Sequence, residues 1–289
     1  MCFLNIFVLT CPFYRFSNCE IVRMPEYIQP VTDRQTCYKC QKTVTGKQKL
    51  SKCSKCHAIT YCGKQCQVAD WARHAFNCVP VMVTEFEGKG RGVVAARDIK
   101  MGECIFMDKP LLKLPSDFLL ALSTPDTLTK QIGKLPSEAK LLFYKIQGRP
   151  LPKRIRRNMR NIKIKKEYEI FFSNARSDGN WDTLFLNTTL LNHSCAPNAF
   201  VDTFDKESGE SWCEVRAVKD IPKGEEVTVF YEVPQEHGTY SYLVYGCNAE
   251  ERRIVIQKEF RFQCKCAVCS GNTAEQENVI KELLKLQKS

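Results

Sequence analysis

The stretch CYKCQKTVTGKQKLSKCSKCHAITYCGKQCQVADWARHAFNC, from Cys37 to Cys78, sets seven cysteines and one histidine in the order C-x2-C-x12-C-x2-C-x5-C-x3-C-x7-H-x3-C. Eight soft ligands at such spacing are enough for two tetrahedral zinc ions. Cys37/Cys40 and Cys53/Cys56 are knuckle pairs, close enough for both thiolates to reach one ion. Cys62/Cys66 and His74/Cys78 have the i, i+4 spacing that sets both side chains on one helical face. The segment CQVADWARHAFNC reads as a short amphipathic helix with Trp71 and Phe76 as its apolar part. So small a module has little core, and metal binding would supply most of its folding free energy. Ordinary buried thiols or disulfides leave eight ligand-type residues at ligand spacing unexplained.

A second constellation lies in the other half of the chain. CKCAVC, with Cys264, Cys266 and Cys269, supplies three thiolates, one short of a closed structural site. The best fourth ligand is Cys195 in NHSCAPN, because Cys104, Cys213 and Cys247 sit in apolar or loop contexts and read as small buried hydrophobes. A zinc joining Cys195 to the tail would staple the C-terminal segment over Asn192 and His193. His57 and His237 have no ligand company and read as exposed loop residues.

The rest of the chain is organised in short units. AARDIKMGECI, Ala95 to Ile105, and AVKDIPKGEEV, Ala217 to Val227, are similar strand-turn-strand phrases, each with Asp-Ile followed by a Gly-Glu turn. Between them, Ser116 to Gln147 has helical periodicity broken by Pro125 and Pro136 and reads as a helical insertion. After Cys269, Ala274 to Gln287 gives one more amphipathic helix.

Together these motifs resemble the SET domain and MYND finger of the SET-and-MYND family of protein lysine methyltransferases. The resemblance rests on four segments in order: Gly88-Lys89-Gly90-Arg91-Gly92 as a cofactor loop, Asn192-His193-Ser194-Cys195 with Pro197-Asn198 as the central motif, Gly224-Glu225-Glu226 through Tyr231 as the catalytic strand, and Phe262 with the tail cysteines as the post-SET segment. It implies interleaved zinc binding, with Cys37, Cys40, Cys62 and Cys66 around one ion and Cys53, Cys56, His74 and Cys78 around the other. A third zinc is expected on Cys195, Cys264, Cys266 and Cys269. It also implies that S-adenosylmethionine is held by Lys89, Arg91, Asn174, Asn192, His193 and Phe262, that Tyr231 orients the acceptor amine, and that Tyr231 and Phe260 line the substrate channel. The expected fold is α+β: a β-rich SET domain of small twisted sheets with a helical insertion, a MYND finger before it and a zinc-binding post-SET segment after it. The corresponding boundaries are an N-terminal segment at 1–36, expected to be disordered, the finger at 37–78, the SET domain at 79–262 with its insertion about 116–175, and the post-SET segment with a C-terminal helix at 263–289. Family members usually carry the finger inside the SET domain; here it precedes the Gly88 loop, similar to the arrangement of invertebrate relatives. The family commonly has Tyr-x-Phe before the first tail cysteine, whereas this chain has Phe260-Arg261-Phe262. Many family members also fold a long C-terminal helical domain over the cleft; without one, the cleft is expected to be more open.

Composition bounds the reading. The chain has 289 residues and 44% hydrophobic content, enough for a buried core in one or two domains. Eleven of its seventeen cysteines are arranged as ligands, which points to a reducing compartment, the nucleus and cytoplasm. No stretch is long and apolar enough to span a membrane. The apolar start lacks a basic n-region and a small-residue cleavage site, and the first ~23 residues are expected to be disordered or to lie upstream of a start at Met24. A net charge of +11 is concentrated in Lys153 to Lys166, which reads as a solvated basic helix face as readily as a nuclear localisation signal. Nucleic-acid binding is not supported, because no aromatics interleave the charges. Positive charge near a lysine channel also disfavours basic histone tails. The expected function is S-adenosylmethionine-dependent methyl transfer to lysines of histone or non-histone proteins by a monomer whose finger binds proline-containing peptides. The alternative is a MYND adaptor or transcriptional regulator with a weakly active or inactive SET domain.

Overall fold

The computed structural model describes residues 35–45, 49–75, 78–116, 126–151, 165–177, 180–205, 211–231, 234–235, 238–239 and 249–270. Phe76, His237, Cys247, most of the basic run after Lys153 and the helix expected from Ala274 to Gln287 lie outside those residues.

The finger is built from β1 (Ser51–Lys52), β2 (Thr60–Tyr61) and α1 (Lys64–His74). Its core consists of Cys37, Cys53, Cys56, Tyr61 and Cys78, so ligands replace the hydrophobic interior that so short a segment cannot assemble. The helix differs from the expected one. Cys62 precedes α1 and Cys78 follows it, so the two i, i+4 pairs straddle the helix ends instead of lying along one face. Its buried residues are Asp70 and His74, while Trp71 is 45% exposed. The face that packs inward is therefore polar. Asp70 accepts from the Tyr61 hydroxyl at 2.9 Å and from Arg73 Nη2 at 2.7 Å, which satisfies a carboxylate that burial would otherwise penalise. His57, expected to be exposed, is half-buried with φ 60°, its Nε2 3.0 Å from Ser54 O.

The larger unit opens with a hairpin of β3 (Val81–Phe86) and β4 (Gly90–Ala95). Val81 and Val83 on one strand and Val93 and Ala95 on the other point into the core, the alternation a half-buried sheet requires. After β5 (Cys104–Asp108) and β6 (Pro110–Pro115) come the insertion helices α2 (Asp126–Lys134), α3 (Ser137–Lys145) and α4 (Lys165–Asn174). Then follow β7 (Arg176–Ser177), β8 (Trp181–Phe185), a 3-10 turn at Thr188–Leu190, β9 (Asn192–His193), β10 (Ala199–Asp205), β11 (Ser211–Ala217), β12 (Thr228–Val229) and finally α5 (Ala249–Phe260). The sheets are small: β10-β11-β5, β6-β8-β7 and a parallel pair of β9 with β12.

The two Asp-Ile phrases lie against each other. Ile99 N donates to Ile221 O at 2.9 Å and Ile221 N returns to Ile99 O at 2.8 Å. Gly102 and Gly224 close the equivalent turns at φ 81° and 86°, where a side chain would strain the backbone. Each phrase is thus a strand, a single bridge and a turn, less regular than the expected strand-turn-strand. A second core under the insertion is formed by residues such as Leu128, Phe143, Tyr168, Phe171 and Leu184. A third gathers Cys195, Ile256, Phe260, Cys264 and Cys269 and holds the end of α5 beside β9. Cys213 is fully buried, as a small apolar residue would be, and Cys104 is half-buried.

Candidate active site and metal centres

Three groups of four ligand residues converge: Cys37, Cys40, Cys62 and Cys66; Cys53, Cys56, His74 and Cys78; and Cys195, Cys264, Cys266 and Cys269. Within each group the ligand atoms lie within 4.8 Å of one another. A tetrahedron with Zn–S bonds of about 2.3 Å has edges of about 3.8 Å. Cys40 Sγ lies 3.8 Å from Cys62 Sγ, Cys53 Sγ 3.8 Å from Cys78 Sγ, Cys56 Sγ 3.6 Å from His74 Nε2, and Cys195 Sγ 3.9 Å from Cys264 Sγ and 3.5 Å from Cys269 Sγ. These edges fit zinc at all three centres, and burial lowers the pKa of His74, which favours the neutral imidazole that ligates. The interleaved arrangement follows from α1: it returns the chain so that Cys62 and Cys66 meet the first knuckle while His74 and Cys78 meet the second.

The residues expected to hold cofactor or line a channel, Lys89, Arg91, Asn174, Asn192, His193, Tyr231, Phe260 and Phe262, all line a single cavity of about 1020 Å³. That volume is at the upper end of those that enclose a cofactor-sized ligand. One part of its wall is Asn192 of β9, whose side chain lies against Gly92 of β4. A Cβ at Gly92 would lie 2.6 Å from Asn192 Nδ2 and 2.6 Å from the Phe86 ring, so only glycine leaves room for those two side chains where they now pack. Asn192 Nδ2 donates to Glu226 Oε1 at 2.8 Å and to Arg91 O at 3.3 Å, while Lys89 Nζ meets Glu226 Oε2 at 2.6 Å. Glu226 therefore ties the glycine loop to the central motif, a role its place in the sequence did not disclose. Asn198 fixes the same strand from behind, donating to Glu225 Oε1 at 3.0 Å and Glu226 O at 2.8 Å and accepting from Thr228 N at 2.8 Å. Asn174 reaches the cavity wall, but its Nδ2 is committed to Ile170 O at 2.7 Å and Gln147 O at 3.0 Å.

His193 links the cavity to the third metal group. Its Nδ1 accepts from Tyr231 N at 3.0 Å, which leaves the proton on Nε2, 3.3 Å from Cys195 Sγ. That is the orientation of a second partner to a metal thiolate. Tyr231 donates its hydroxyl to Leu191 O at 2.8 Å, and burial pushes its pKa up to about 12, so it stays protonated at neutral pH. Phe260 lies 5.3 Å from the Tyr231 ring, and Phe262 6.4 Å.

Two residues without motif signatures support this wall. Asp108, 1% exposed, accepts from Asn187 N at 2.6 Å and Thr188 N at 3.1 Å, holding the turn that delivers Asn192 and His193. Burial pushes its pKa up to about 6 against those hydrogen bonds. Arg149, between α3 and α4, stacks its guanidinium 4.5 Å above the Phe260 ring. Neither has a sequence spacing that gives it away, because each acts on residues distant along the chain.

A thiolate-stapled wall facing a glycine loop across small sheets, with a zinc-ligand finger ahead of it, defines a SET-domain protein with a MYND finger. Residues 90–232 match the family model described as SET domain and residues 37–78 the one described as MYND finger, so the finger lies wholly ahead of the SET match. The chain is a SET-and-MYND protein. Among curated relatives, N-lysine methyltransferase SMYD2 of Homo sapiens is 27% identical over 273 residues, 88% of this chain and 56% of that protein. Histone-lysine N-methyltransferase ASHR1 of Arabidopsis thaliana is 25% identical over 257 residues, covering 81% and 46% respectively. Histone-lysine N-methyltransferase SMYD3 of Mus musculus is 24% identical over 262 residues, covering 80% and 51%. The chain spans about half the length of the curated relatives it matches.

Proposed function

We propose that this protein transfers methyl groups from S-adenosylmethionine to lysine side chains of other proteins, histone or non-histone, in the nucleus and cytoplasm, and that its finger engages proline-containing peptide partners. The observation that carries the reading is the Tyr231 hydroxyl, fixed on Leu191 O among aromatic rings on the wall of the cavity that the glycine loop also lines. Bound there, the cofactor supplies an electrophilic methyl group on a sulfonium. The chain's own task is then positioning, since an in-line displacement needs donor and acceptor held in near-attack geometry.

In this reading Lys89, Arg91, Asn192 and His193 form one side of the cofactor site and Phe262 covers the adenine. Asn192 spends its amide nitrogen on Glu226 and Arg91, so its carbonyl oxygen serves a donor on the ligand. Asn174 contributes through its place on the wall, because its amide nitrogen is already used. Because the Tyr231 hydroxyl donates to Leu191 O, its oxygen is left to accept from an amine N–H and would orient a neutral lysine amine for transfer. The rings of Phe260 and Phe262 exclude water, and desolvation favours loss of the ammonium proton.

Calorimetry of the purified chain with S-adenosylmethionine tests the cofactor assignment. Saturable heat at one site supports it, and no heat would leave only the adaptor function of the finger. Labelled-methyl transfer into a whole-cell extract, read by mass spectrometry, then identifies acceptor proteins and the number of methyl groups added.

A further inference from the structure

Arg149 stands where a cation is least expected. The side chain crosses from the insertion to the end of α5, with Nη2 donating to Ser173 O at 2.7 Å and Nη1 to Glu259 O at 3.4 Å. Its backbone N donates to Ser173 Oγ at 2.9 Å. Among the described residues no carboxylate forms an ion pair with it. Its charge is set by its position: Cζ lies 4.5 Å from the Phe260 ring centre, and that ring lies 5.3 Å from the Tyr231 ring, so the charge is within about 10 Å of Tyr231. Guanidinium groups do not give up their proton in proteins, so burial weakens the preference for charge without removing it.

We propose that Arg149 is the electrostatic residue of the acceptor channel, where its fixed positive charge disfavours the ammonium form of the incoming lysine and so supplies the neutral amine that methyl transfer consumes. The inference rests on the lysine-methyltransfer reading. An aromatic channel by itself has a defect: the ring faces that exclude water also attract a cation, which holds the ammonium in place. In this protein Phe260 already has a guanidinium on its face, so its π electrons are engaged and the nearest charge repels a second cation. The family tyrosine that Phe260 replaces would have offered a hydroxyl there; this chain offers a charge behind the ring.

The surrounding charges leave that field standing. Glu259 is on the same helix as Phe260 with its carboxylate 3.6 Å from Lys258 Nζ, and its attraction reaches Arg149 from α5. Glu226 is held by Lys89 and Asn192. His193 has one ring nitrogen on Tyr231 N and the other against Cys195. The insertion meets Arg149 through Ser173, which is neutral. Arg176, Lys219, Arg261 and Lys265, which share the cavity, add charge of the same sign, while of its remaining carboxylates Glu225 is bound by Asn198 and Glu87 is exposed. A unit charge at about 10 Å and an effective dielectric of about 20 lowers the acceptor pKa by roughly one unit.

The test uses S-adenosylmethionine and an array of short lysine peptides, the best-methylated of which becomes the acceptor. The pH dependence of kcat is compared for wild type, Arg149→Gln and Arg149→Lys. The acid limb moves up by about one pH unit in Arg149→Gln and stays near the wild-type position in Arg149→Lys. A fall in rate by the same factor at every pH, with the limb unmoved, overturns the proposal and leaves Arg149 a packing residue. Binding gives a second measurement on wild type alone, independent of how the variants fold. With S-adenosylhomocysteine present at pH 7, the wild type binds a norleucine version of the acceptor peptide about ten times more tightly than the lysine version, and equal or inverted affinities overturn the charge device. A wild type that methylates no peptide in the array rejects the methyltransferase reading, a result distinct from an active enzyme with an unmoved limb.

Discussion

At the scale of single residues the site depends on groups whose hydrogen bonds are already spent. Tyr231→Phe removes the hydroxyl that bonds Leu191 O but keeps the ring packed against Phe260. Methyl transfer should fall by at least about 1,000-fold while S-adenosylmethionine affinity stays within a few fold, since only orientation of the amine is lost. A parallel collapse of cofactor affinity in calorimetry would show that the hydroxyl serves the donor pocket instead. Asp108 carries a pH signature. Its folded pKa of about 6 lies above the unfolded value near 3.8, so the folded state binds this proton more tightly. Stability from this group is therefore greatest at low pH and is lost as pH rises through about 6. Asp108→Asn has no such proton, and it leaves donors of Asn187 and Thr188 poorly matched at a cost of about 1–3 kcal/mol. The stability gap between wild type and variant should shrink by roughly 1 kcal/mol from pH 5 to pH 7. A gap independent of pH in denaturant titrations would mean the carboxylate ionises normally. Cys195 and Tyr231 could be singled out from sequence because motif chemistry constrains their neighbours. Asp108 could not, since its partners at Asn187 and Thr188 are far along the chain and a lone aspartate carries no spacing.

At the scale of elements, pattern served well where one strand face is dry and poorly where metal replaces core. The Asp-Ile phrases were visible because each repeats an apolar residue beside a turn glycine; that they pair with each other at Ile99 and Ile221 is a fact of tertiary contact. The helix in the finger misled because apolar periodicity assigns the inward face to Trp71, whereas His74 and Asp70 occupy it to serve a ligand set and Tyr61. The packing of the Asn192 and Phe86 side chains on Gly92 gives a test of how elements shape the cavity. Alanine at Gly92 drives Cβ to 2.6 Å from Asn192 Nδ2 and Phe86, so either the hairpin lifts or Asn192 turns out of the pocket. Gly92→Ala should keep the zinc content, lose about 1–3 kcal/mol of stability and weaken S-adenosylmethionine at least tenfold. Unchanged affinity in calorimetry would place the cofactor away from Asn192.

At the scale of the whole molecule, three metal centres divide the labour, two holding the finger and one holding the tail against the cavity. The third draws Cys195 from the central motif and Cys264, Cys266 and Cys269 from beyond α5, and Cys264 and Cys266 border the cavity itself. The finger touches the larger unit where Arg97 Nε donates to Lys55 O at 3.0 Å, and its ligand sets share no residue with the third. Loss of the third ion should therefore be separable from loss of the first two. Cys269→Ala tests this best, because it lies outside the central motif and any effect on the donor pocket must pass through the metal clamp. The variant should hold two equivalents of zinc by elemental analysis where the wild type holds three. Freed of its fourth thiolate, the tail no longer keeps Phe262 beside His193, so S-adenosylmethionine affinity should drop by about 10–100-fold and the segment after Phe260 should become sensitive to protease. Any peptide binding by the finger, as proposed, should be unchanged. Two equivalents of zinc together with wild-type cofactor affinity would mean that the aromatic contacts of Phe260 and Phe262 close the pocket without the metal.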